Sequence, residues 1–150
     1  MENRKSILAL NKKNVPWILV IGTIFLQLIF ILPGFIKNGI GFPLDDAWIH
    51  QTYARNLIHY GSWSFIPGVV SGGSTSPLWT ILLAPGFLFD GNYFYYWTLV
   101  ISCAALCGLI YFLCKSLQNT MVGKNWALVL LLGFLAASEW HLQWAAASGM

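Results

Sequence analysis

The stretch VPWILVIGTIFLQLIFILPGFI, residues 15–36, runs for 22 residues without a charged side chain. As a helix at 1.5 Å per residue it reaches ~33 Å, enough to cross a hydrocarbon core of ~30 Å. A secretory signal peptide is the competing interpretation, but its apolar core is shorter, and no small-residue cleavage site follows Ile36. The stretch therefore predicts a first transmembrane helix, retained as a signal anchor.

The composition agrees with a protein that uses lipid as part of its solvent. Hydrophobic residues make up 57% of the chain and charged residues only 9%, against roughly 25% charged residues in an ordinary soluble domain. The net charge of +3 is small and concentrated near the N-terminus, which argues against a nucleic-acid partner. The composition predicts an integral membrane protein.

Three further apolar runs follow the first helix. Residues 93–113 begin with an aromatic belt and predict a second span, and residues 126–147 predict a third. Residues 77–89 are too short to cross a bilayer and contain Pro85 near their end, which favours a re-entrant or interfacial helix.

The distribution of basic residues decides between three and four spans. With three spans, six basic residues face the cytoplasm, whereas Lys37 and Arg55 alone face outward; with four spans the count is four against four. The cytoplasmic six are Arg4, Lys5, Lys12, Lys13, Lys115 and Lys124. The positive-inside rule therefore favours three spans.

The predicted fold is all-α: a multi-pass protein of the plasma (inner) membrane with a large first extracytoplasmic loop. Its predicted regions, in chain order, are a basic cytoplasmic N-terminus (1–14), the first span (15–36), the extracytoplasmic loop (37–92), with juxtamembrane helices at 46–60 and 77–89, the second span (93–113), a cytoplasmic loop (114–125), the third span (126–147) and the start of a second external loop (148–150).

The segment GFPLDDAWIHQTYARNL, residues 41–57, carries two of the five acidic residues of the chain. Asp45 or Asp46 is placed to cap a helix over 46–60, which Gly61 would end. The same doublet is also a candidate for chemistry, and the two roles do not exclude each other, since one carboxylate can cap while its neighbour projects elsewhere.

That helix is predicted to be amphipathic. An apolar stripe recurs at helical spacing, and three basic or titratable side chains fall away from it. The stripe consists of Ile49, Tyr53, Leu57 and Tyr60, and the side chains away from it are His50, Arg55 and His59.

The segment SGGSTSPLW, residues 71–79, predicts a glycine-rich turn before a helix. Ser74, Thr75 or Ser76 can cap this helix, with Pro77 in its first turn. Backbone N–H groups at such a turn can bind an anion such as a phosphate. An ordinary capped helix start is the competing interpretation, and the segment is not a Walker motif because the lysine is absent.

Ionisable and polar side chains enter the third predicted span after Ser138, namely Glu139, His141 and Gln143. Ionisable groups at membrane depth usually face a cavity or a partner. Glu139 follows Trp126 by 13 residues, or ~20 Å along a helix. We therefore expect Glu139 in the outer half of the span, approaching the same face as the aspartate doublet.

Three segments together resemble the N-terminal part of the GT-C-fold glycosyltransferases: DDAWIHQTYARNL (45–57), GSTSPLW (73–79) and WAAASGM (144–150). These enzymes take sugars from polyprenyl-phosphate donors at the outer membrane face. The likeness is strongest to the bacterial members that include mycobacterial arabinofuranosyltransferases and the protein-mannosyltransferase-like group, whose first external loop carries an acidic motif.

The resemblance implies an inverting sugar transfer to an acceptor hydroxyl. Asp45 or Asp46 would act as general base, and Asp46 is favoured because Asp45 is the better-placed cap. Arg55 and the Ser74–Thr75 turn would stabilise the leaving phosphate, with His50 and Glu139 as further substrate-binding candidates.

The implied partners are a polyprenyl-phosphate-linked sugar, a glycan, lipid or protein acceptor, and membrane lipid. Some members use a divalent cation near the acidic loop and others do not, so Mg²⁺ or Mn²⁺ stays an open alternative. Two adjacent carboxylates are too few ligands to assign a metal site.

Members of this family have many more spans, and the chain stops at Met150, directly after its last span. The expectation is therefore an N-terminal fragment that is inactive by itself. The main alternative is a small, non-catalytic membrane protein that binds lipid or a partner through its aromatic loop. A transporter fragment is a weaker alternative. It predicts charged or broken helices at the bilayer midplane, whereas the ionisable residues of this chain lie mostly in the predicted external loop.

Overall fold

The structure, a computed structural model, describes residues 13–120, 123 and 125–150. Most of the predicted basic N-terminus, including Arg4, Lys5 and Lys12, lies outside the described residues, as does Lys124. The described chain is mostly helical. Its elements in order are α1 (Val15–Asn38), α2 (Asp45–Tyr60), β1 (Ser64–Ile66), β2 (Val69–Val70), α3 (Pro77–Leu83), a 3-10 helix (Ala84–Phe87), α4 (Tyr93–Gln118), α5 (Trp126–Ala137) and α6 (Trp140–Ser148).

Two of these helices are long and apolar enough to cross a membrane, α1 over Val15–Lys37 and α4 over Tyr93–Gln118. The pair α5 and α6 gives a third candidate span that is bent by 47°. α4 continues for five residues beyond the predicted end of the second span at 113. The apolar helices are compatible with the predicted membrane location.

The third candidate span is not one continuous helix, so the prediction of a single helix over 126–147 is wrong. α5 ends at Ala137, and Glu139 adopts an extended backbone with φ −64° and ψ 119°. The carboxylate of Glu139 accepts a hydrogen bond of 3.0 Å from the backbone N–H of Leu142, and so caps a new helix, α6. This acidic cap competes with continuation of α5.

The helices α1, α4 and α5 meet at Gly133. A Cβ atom at this position would collide with the side chains of Leu19 and Cys114. The surrounding core is apolar and includes Val15, Ile110 and Val129 among its buried members. A small residue at the crossing lets the helix backbones approach closely, as is common in membrane bundles.

Residues 41–89, here called the loop module, pack around the first turns of α4. Phe87 stacks on Phe94 with ring centroids 5.1 Å apart, and the indole N–H of Trp97 donates to the carbonyl oxygen of Leu82 at 2.8 Å. The buried ring of Phe42 lies 4.9 Å from that of Tyr95. These contacts fix the loop module against the start of a candidate span.

The loop module also contains a short antiparallel hairpin, which corrects the all-α prediction. β1 and β2 pair with Ser64 opposite Val70, and Gly68 occupies the connecting turn with φ 83°. The buried side-chain amide of Asn56 donates to the carbonyl oxygens of Ser64 and Phe65, both at 2.9 Å. A polar side chain of α2 therefore fixes the hairpin through its backbone.

Candidate functional site

The aspartate doublet occupies the first turn of α2. The N-cap is Leu44, and no side chain caps the helix, so the prediction that Asp45 or Asp46 is the cap is wrong. Both aspartates are exposed, and within the described part of the chain neither makes a hydrogen bond or an ion pair. Their negative charges lie at the positive end of the helix dipole, where carboxylates are stabilised. Neither carboxylate is occupied by a structural contact.

The face that α2 buries differs from the predicted apolar stripe. Tyr53 is buried as expected, but Tyr60 is 61% exposed and His50 only 5% exposed. The buried face carries as many polar as apolar side chains, and its polar members pack on polar residues of the 71–80 segment, of the hairpin and of α4. Its members are Ala47, His50, Gln51, Tyr53, Ala54 and Asn56.

His50, Ser74 and Thr80 form a closed triangle of hydrogen-bonding atoms. Nδ1 of His50 lies 3.2 Å from Oγ of Ser74 and 3.1 Å from Oγ1 of Thr80, and the two hydroxyl oxygens are 2.8 Å apart. All three residues are buried. The triangle joins α2, the glycine-rich turn and α3, so the sequence-predicted binding residues His50 and Ser74 are both used to hold the loop module together.

The environment of His50 favours its neutral form. Burial lowers the pKa of His50 below its ordinary value of 6.5, and the negative charge of Asp46, one helical turn earlier, opposes that shift. A neutral imidazole can accept at Nδ1 from one of the two hydroxyl groups. The triangle is therefore a contact of neutral groups.

The glycine-rich turn is fixed by Tyr53. The phenol oxygen of Tyr53 lies 2.6 Å from Oγ of Ser71 and accepts a hydrogen bond of 2.8 Å from the backbone N–H of Gly73. Ser76 is the N-cap residue of α3 but makes no side-chain cap bond. Two donors of the predicted anion site, the Gly73 N–H and the Ser74 hydroxyl, therefore have partners inside the protein, whereas Thr75 is exposed.

Arg55 lies far along α2 from the doublet. Its guanidinium Nε donates to Oδ1 of Asn56 at 3.2 Å, and the residue is exposed. Nine residues separate Arg55 from Asp46, which is ~13 Å along the axis and half a turn around the helix. The structure places Arg55 beside the hairpin and not beside the two carboxylates.

Glu139 also lies apart from the doublet. Gly133 contacts Leu19, and the side-chain amide of Gln27 donates to the backbone oxygen of Gln143 at 3.4 Å. Along the axis of α1, Glu139 therefore lies between Leu19 and Gln27, near the middle of this helix. It is closer to the predicted cytoplasmic side than the outer half in which it was expected. The carboxylate pairs with Nδ1 of His141 at 2.6 Å.

The far end of α6 does reach the loop module. The indole N–H of Trp79 donates to the carbonyl oxygen of Gly149 at 3.1 Å, and Phe42 packs against the same glycine. A cleft of about 340 Å³ lies beside this contact, between the end of α1 and α6. Its lining includes Pro43, two residues before Asp45, and the aromatic rings of Phe30, Phe42 and Trp144.

The aspartates, the cleft and the end of α6 are taken together as the candidate site, and among the described residues no hydrogen bond joins Arg55, Ser74 or Glu139 to the two carboxylates. Among the described residues no group of three or more His, Cys, Asp or Glu side chains is arranged to hold a metal ion. The doublet alone offers two carboxylates to a divalent cation, as the sequence already indicated.

Sequence reasoning missed Phe42, Thr80 and Trp144. The roles of Thr80 and Trp144 depend on contacts across 30 or more residues, and no local pattern indicates them.

Comparison of the chain with protein-family models, with curated proteins and with solved structures finds no match.

Proposed function

We propose that this chain is the N-terminal part of an integral-membrane glycosyltransferase of the GT-C type. It would move a sugar from a polyprenyl-phosphate donor to an acceptor hydroxyl at the outer membrane face. The observation that carries the proposal is the exposed pair Asp45 and Asp46, which makes no hydrogen bond with the described residues and follows by two residues Pro43, part of the lining of a cleft at the end of two candidate spans.

A carboxylate in this position suits a general base. The acceptor hydroxyl would transfer its proton to one aspartate while its oxygen attacks the anomeric carbon, and the bond from that carbon to the phosphate oxygen would break. The base needs a carboxylate oxygen that is not already hydrogen-bonded in the fold, and both aspartates meet this condition. Because Asp45 is not a cap, the reason for favouring Asp46 no longer holds, and either residue is a candidate.

A second cleft offers an apolar surface for a polyprenyl chain. It has a volume of about 430 Å³ and lies between α3, α4 and α6, with Trp79, Leu106, Leu109 and Leu142 in its lining. The leaving phosphate would need donors from Thr75, from Arg55 or from parts of the protein beyond this chain, since the Gly73 N–H and the Ser74 hydroxyl are engaged.

The test is sugar transfer by the full-length membrane-bound protein, of which this chain is the proposed N-terminal part, with Asp45→Asn, Asp46→Asn and the double substitution. A panel of synthetic polyprenyl-phosphate pentoses and hexoses serves as donor. We expect the variant that loses the base to transfer sugar ~100-fold or more slowly, with unchanged expression. Asp90→Asn is the matched control, because Asp90 is exposed in the same external segment. Normal turnover by all three variants at positions 45 and 46 would refute the base assignment.

A second candidate function rests on the hairpin. Phe65, Ile66, Val69 and Val70 are all about half exposed or more, which suits a non-catalytic protein that contacts lipid or a partner through this surface. Absence of transfer by the full-length protein with every donor, together with vesicle binding that is lost in Val70→Ser, would favour this function over the enzyme.

A further inference from the structure

A cleft of about 210 Å³ lies between α1 and α4 on the surface of the bundle. No charged side chain takes part in its lining, which consists of Trp17, Val20, Cys107, Gly108 and Tyr111. A Cβ atom added at Gly108 would meet no other atom within 4 Å. The glycine therefore leaves open space on α4 where a side chain would otherwise lie.

Two contacts fix the shape of this cleft. The thiol of Cys107 donates to the carbonyl oxygen of Val20 at 3.9 Å, and the rings of Trp17 and Tyr111 have centroids 5.2 Å apart. Since Trp17 meets Tyr111 and Val20 meets Cys107, α1 and α4 run in opposite directions. The cleft is thus part of the packing of two antiparallel helices.

One end of the cleft is aromatic and positively charged. Nζ of Lys115 lies 5.7 Å from the centroid of the Tyr111 ring, within the range of a cation–π interaction. Lys115 is exposed in the last turn of α4. Lys13 is exposed two residues before α1 begins, so the antiparallel helices bring both lysines to the end of the bundle away from the loop module.

The acidic residues that the structure describes do not lie at this end. Three of them precede α4 in the chain and one follows α5, namely Asp45, Asp46, Asp90 and Glu139. Within the described part of the chain, this end of α1 and α4 therefore carries positive charge alone. A negatively charged group is the partner that complements it.

An occupant of the cleft has to be apolar along Val20 and Gly108 and negatively charged beyond Tyr111. Because α1 and α4 are both long and apolar enough to cross a membrane, the first part lies at the depth of the acyl chains and the second at the depth of the headgroups. An anionic phospholipid presents its two parts in this order, and basic clefts between membrane helices bind such headgroups.

Trp17 supplies a hydrogen-bond donor at the charged end. The residue is 59% exposed, and its indole N–H makes no hydrogen bond within the described part of the chain. An indole at the membrane interface keeps its ring in the apolar region and its N–H toward polar groups. A phosphate or ester oxygen of a lipid suits this donor.

We propose that an anionic phospholipid binds to this cleft, with an acyl chain against Val20 and Gly108 and its phosphate beside Lys115 and the indole of Trp17. The site is separate from the proposed sugar transfer, because none of its residues belongs to the loop module. The polyprenyl-phosphate donor of that reaction would bind at the opposite end of the bundle.

Quenching of Trp17 fluorescence in the full-length membrane-bound protein tests the proposal. Phosphatidylglycerol with brominated acyl chains is mixed in increasing amounts into a phosphatidylcholine bilayer, and brominated phosphatidylcholine is compared with it. Bromine quenches indole fluorescence only at short range. The signal of Trp17 is the difference between the protein and its Trp17→Phe variant, which removes the other tryptophans from the comparison.

We expect half-maximal quenching of Trp17 at an about fivefold lower mole fraction of the anionic lipid, since one lysine near a headgroup changes the affinity by about this factor. Lys115→Gln should remove most of the difference between the two lipids. Lys37→Gln is the matched control, because Lys37 lies in the last turn of α1 at the other end of the bundle. Gly108→Leu, which fills the cleft, should weaken quenching by the anionic lipid while the thermal midpoint stays that of the parent protein.

Two results would overturn the proposal. Equal quenching by the two brominated lipids would show only ordinary contact with the surrounding bilayer, and no quenching by either would show that another protein segment covers the cleft. Neither result depends on transfer activity. Full activity of the Asp45 and Asp46 variants together with selective quenching of Trp17 would refute the base assignment and leave the lipid site intact.

Discussion

The loop module and the helical bundle are stabilised by different kinds of contact. The bundle of α1, α4 and α5 packs apolar side chains around Gly133, where shape complementarity decides the fit. The loop module adds to its apolar clusters directional hydrogen bonds from the buried face of α2, through Asn56, Tyr53 and His50. A fourth residue of this face, Gln51, donates to the hydroxyl oxygen of Thr98 at 2.8 Å and joins the module to α4.

This difference shows which polar residues are available for chemistry. In the loop module several polar side chains hold the fold together, and His50, Ser74 and Thr80 make their hydrogen bonds with one another. Asp45 and Asp46 make none with the described residues. The aspartates, which were predicted as helix caps, make no hydrogen bond with the described residues, whereas the Ser74 hydroxyl and the Gly73 N–H of the predicted binding turn both have partners. The comparison therefore concentrates the functional hypothesis on two carboxylates.

A substitution in the bundle should lower the stability of the whole fold. Gly133→Ala adds a Cβ that collides with Leu19 and Cys114, so the free energy of unfolding should fall by ~1–3 kcal/mol. Gly108→Ala in α4 is the matched control, because its Cβ meets no atom within 4 Å; it should be neutral or stabilising by ~0.5–1 kcal/mol. Thermal unfolding in detergent compares the two, and equal midpoints would show that the helices do not meet closely at Gly133.

A polar truncation in the loop module should act locally. Asn56→Ala leaves the carbonyl oxygens of Ser64 and Phe65 without their buried donor. This should lower the free energy of opening the hairpin by ~1–3 kcal/mol. Hydrogen exchange of residues 64–70 should accelerate while α1 and α4 stay protected. Thr52→Ala, which removes a hydrogen bond on the exposed side of α2, is the control. Uniform acceleration across the bundle would show that the two regions are not separable.

The apolar spans and the start and end of α2 could be predicted from sequence because they depend on local patterns. The uncharged run 15–36 matches α1 to within two residues at its end, and Gly61 ends α2 with φ 59°. The polar buried face of α2 could not be predicted, since His50 is buried only because Ser74 and Thr80, 24 and 30 residues later, supply partners. The break at Glu139 was visible as polarity inside an apolar run, but its geometry depends on one cap hydrogen bond to Leu142.

The smallest effect is a pH dependence of the loop module. Burial holds the pKa of folded His50 below 6.5, so the unfolded chain binds a proton first as the pH falls. The contribution of this residue to stability should therefore be present above pH 6.5 and decline as the pH falls below it. Exchange of the 71–76 amides, corrected for the intrinsic rate, reports this decline, and His50→Gln should abolish it. His59→Gln, an exposed control on the same helix, should retain it.

The most direct test of the central claim compares Asp46→Asn with Ser74→Ala in the same membrane-bound transfer reaction, with Asp45→Asn beside them. The claim is that the doublet carries the chemistry and the triangle carries the structure. We expect one or both aspartate variants to lose transfer while exchange of the loop module stays normal. Ser74→Ala should accelerate hydrogen exchange of the 71–76 amides, but the rate of sugar transfer per folded molecule should stay normal. Full activity in both aspartate variants, with transfer lost in a normally folded Ser74→Ala protein, would contradict the account.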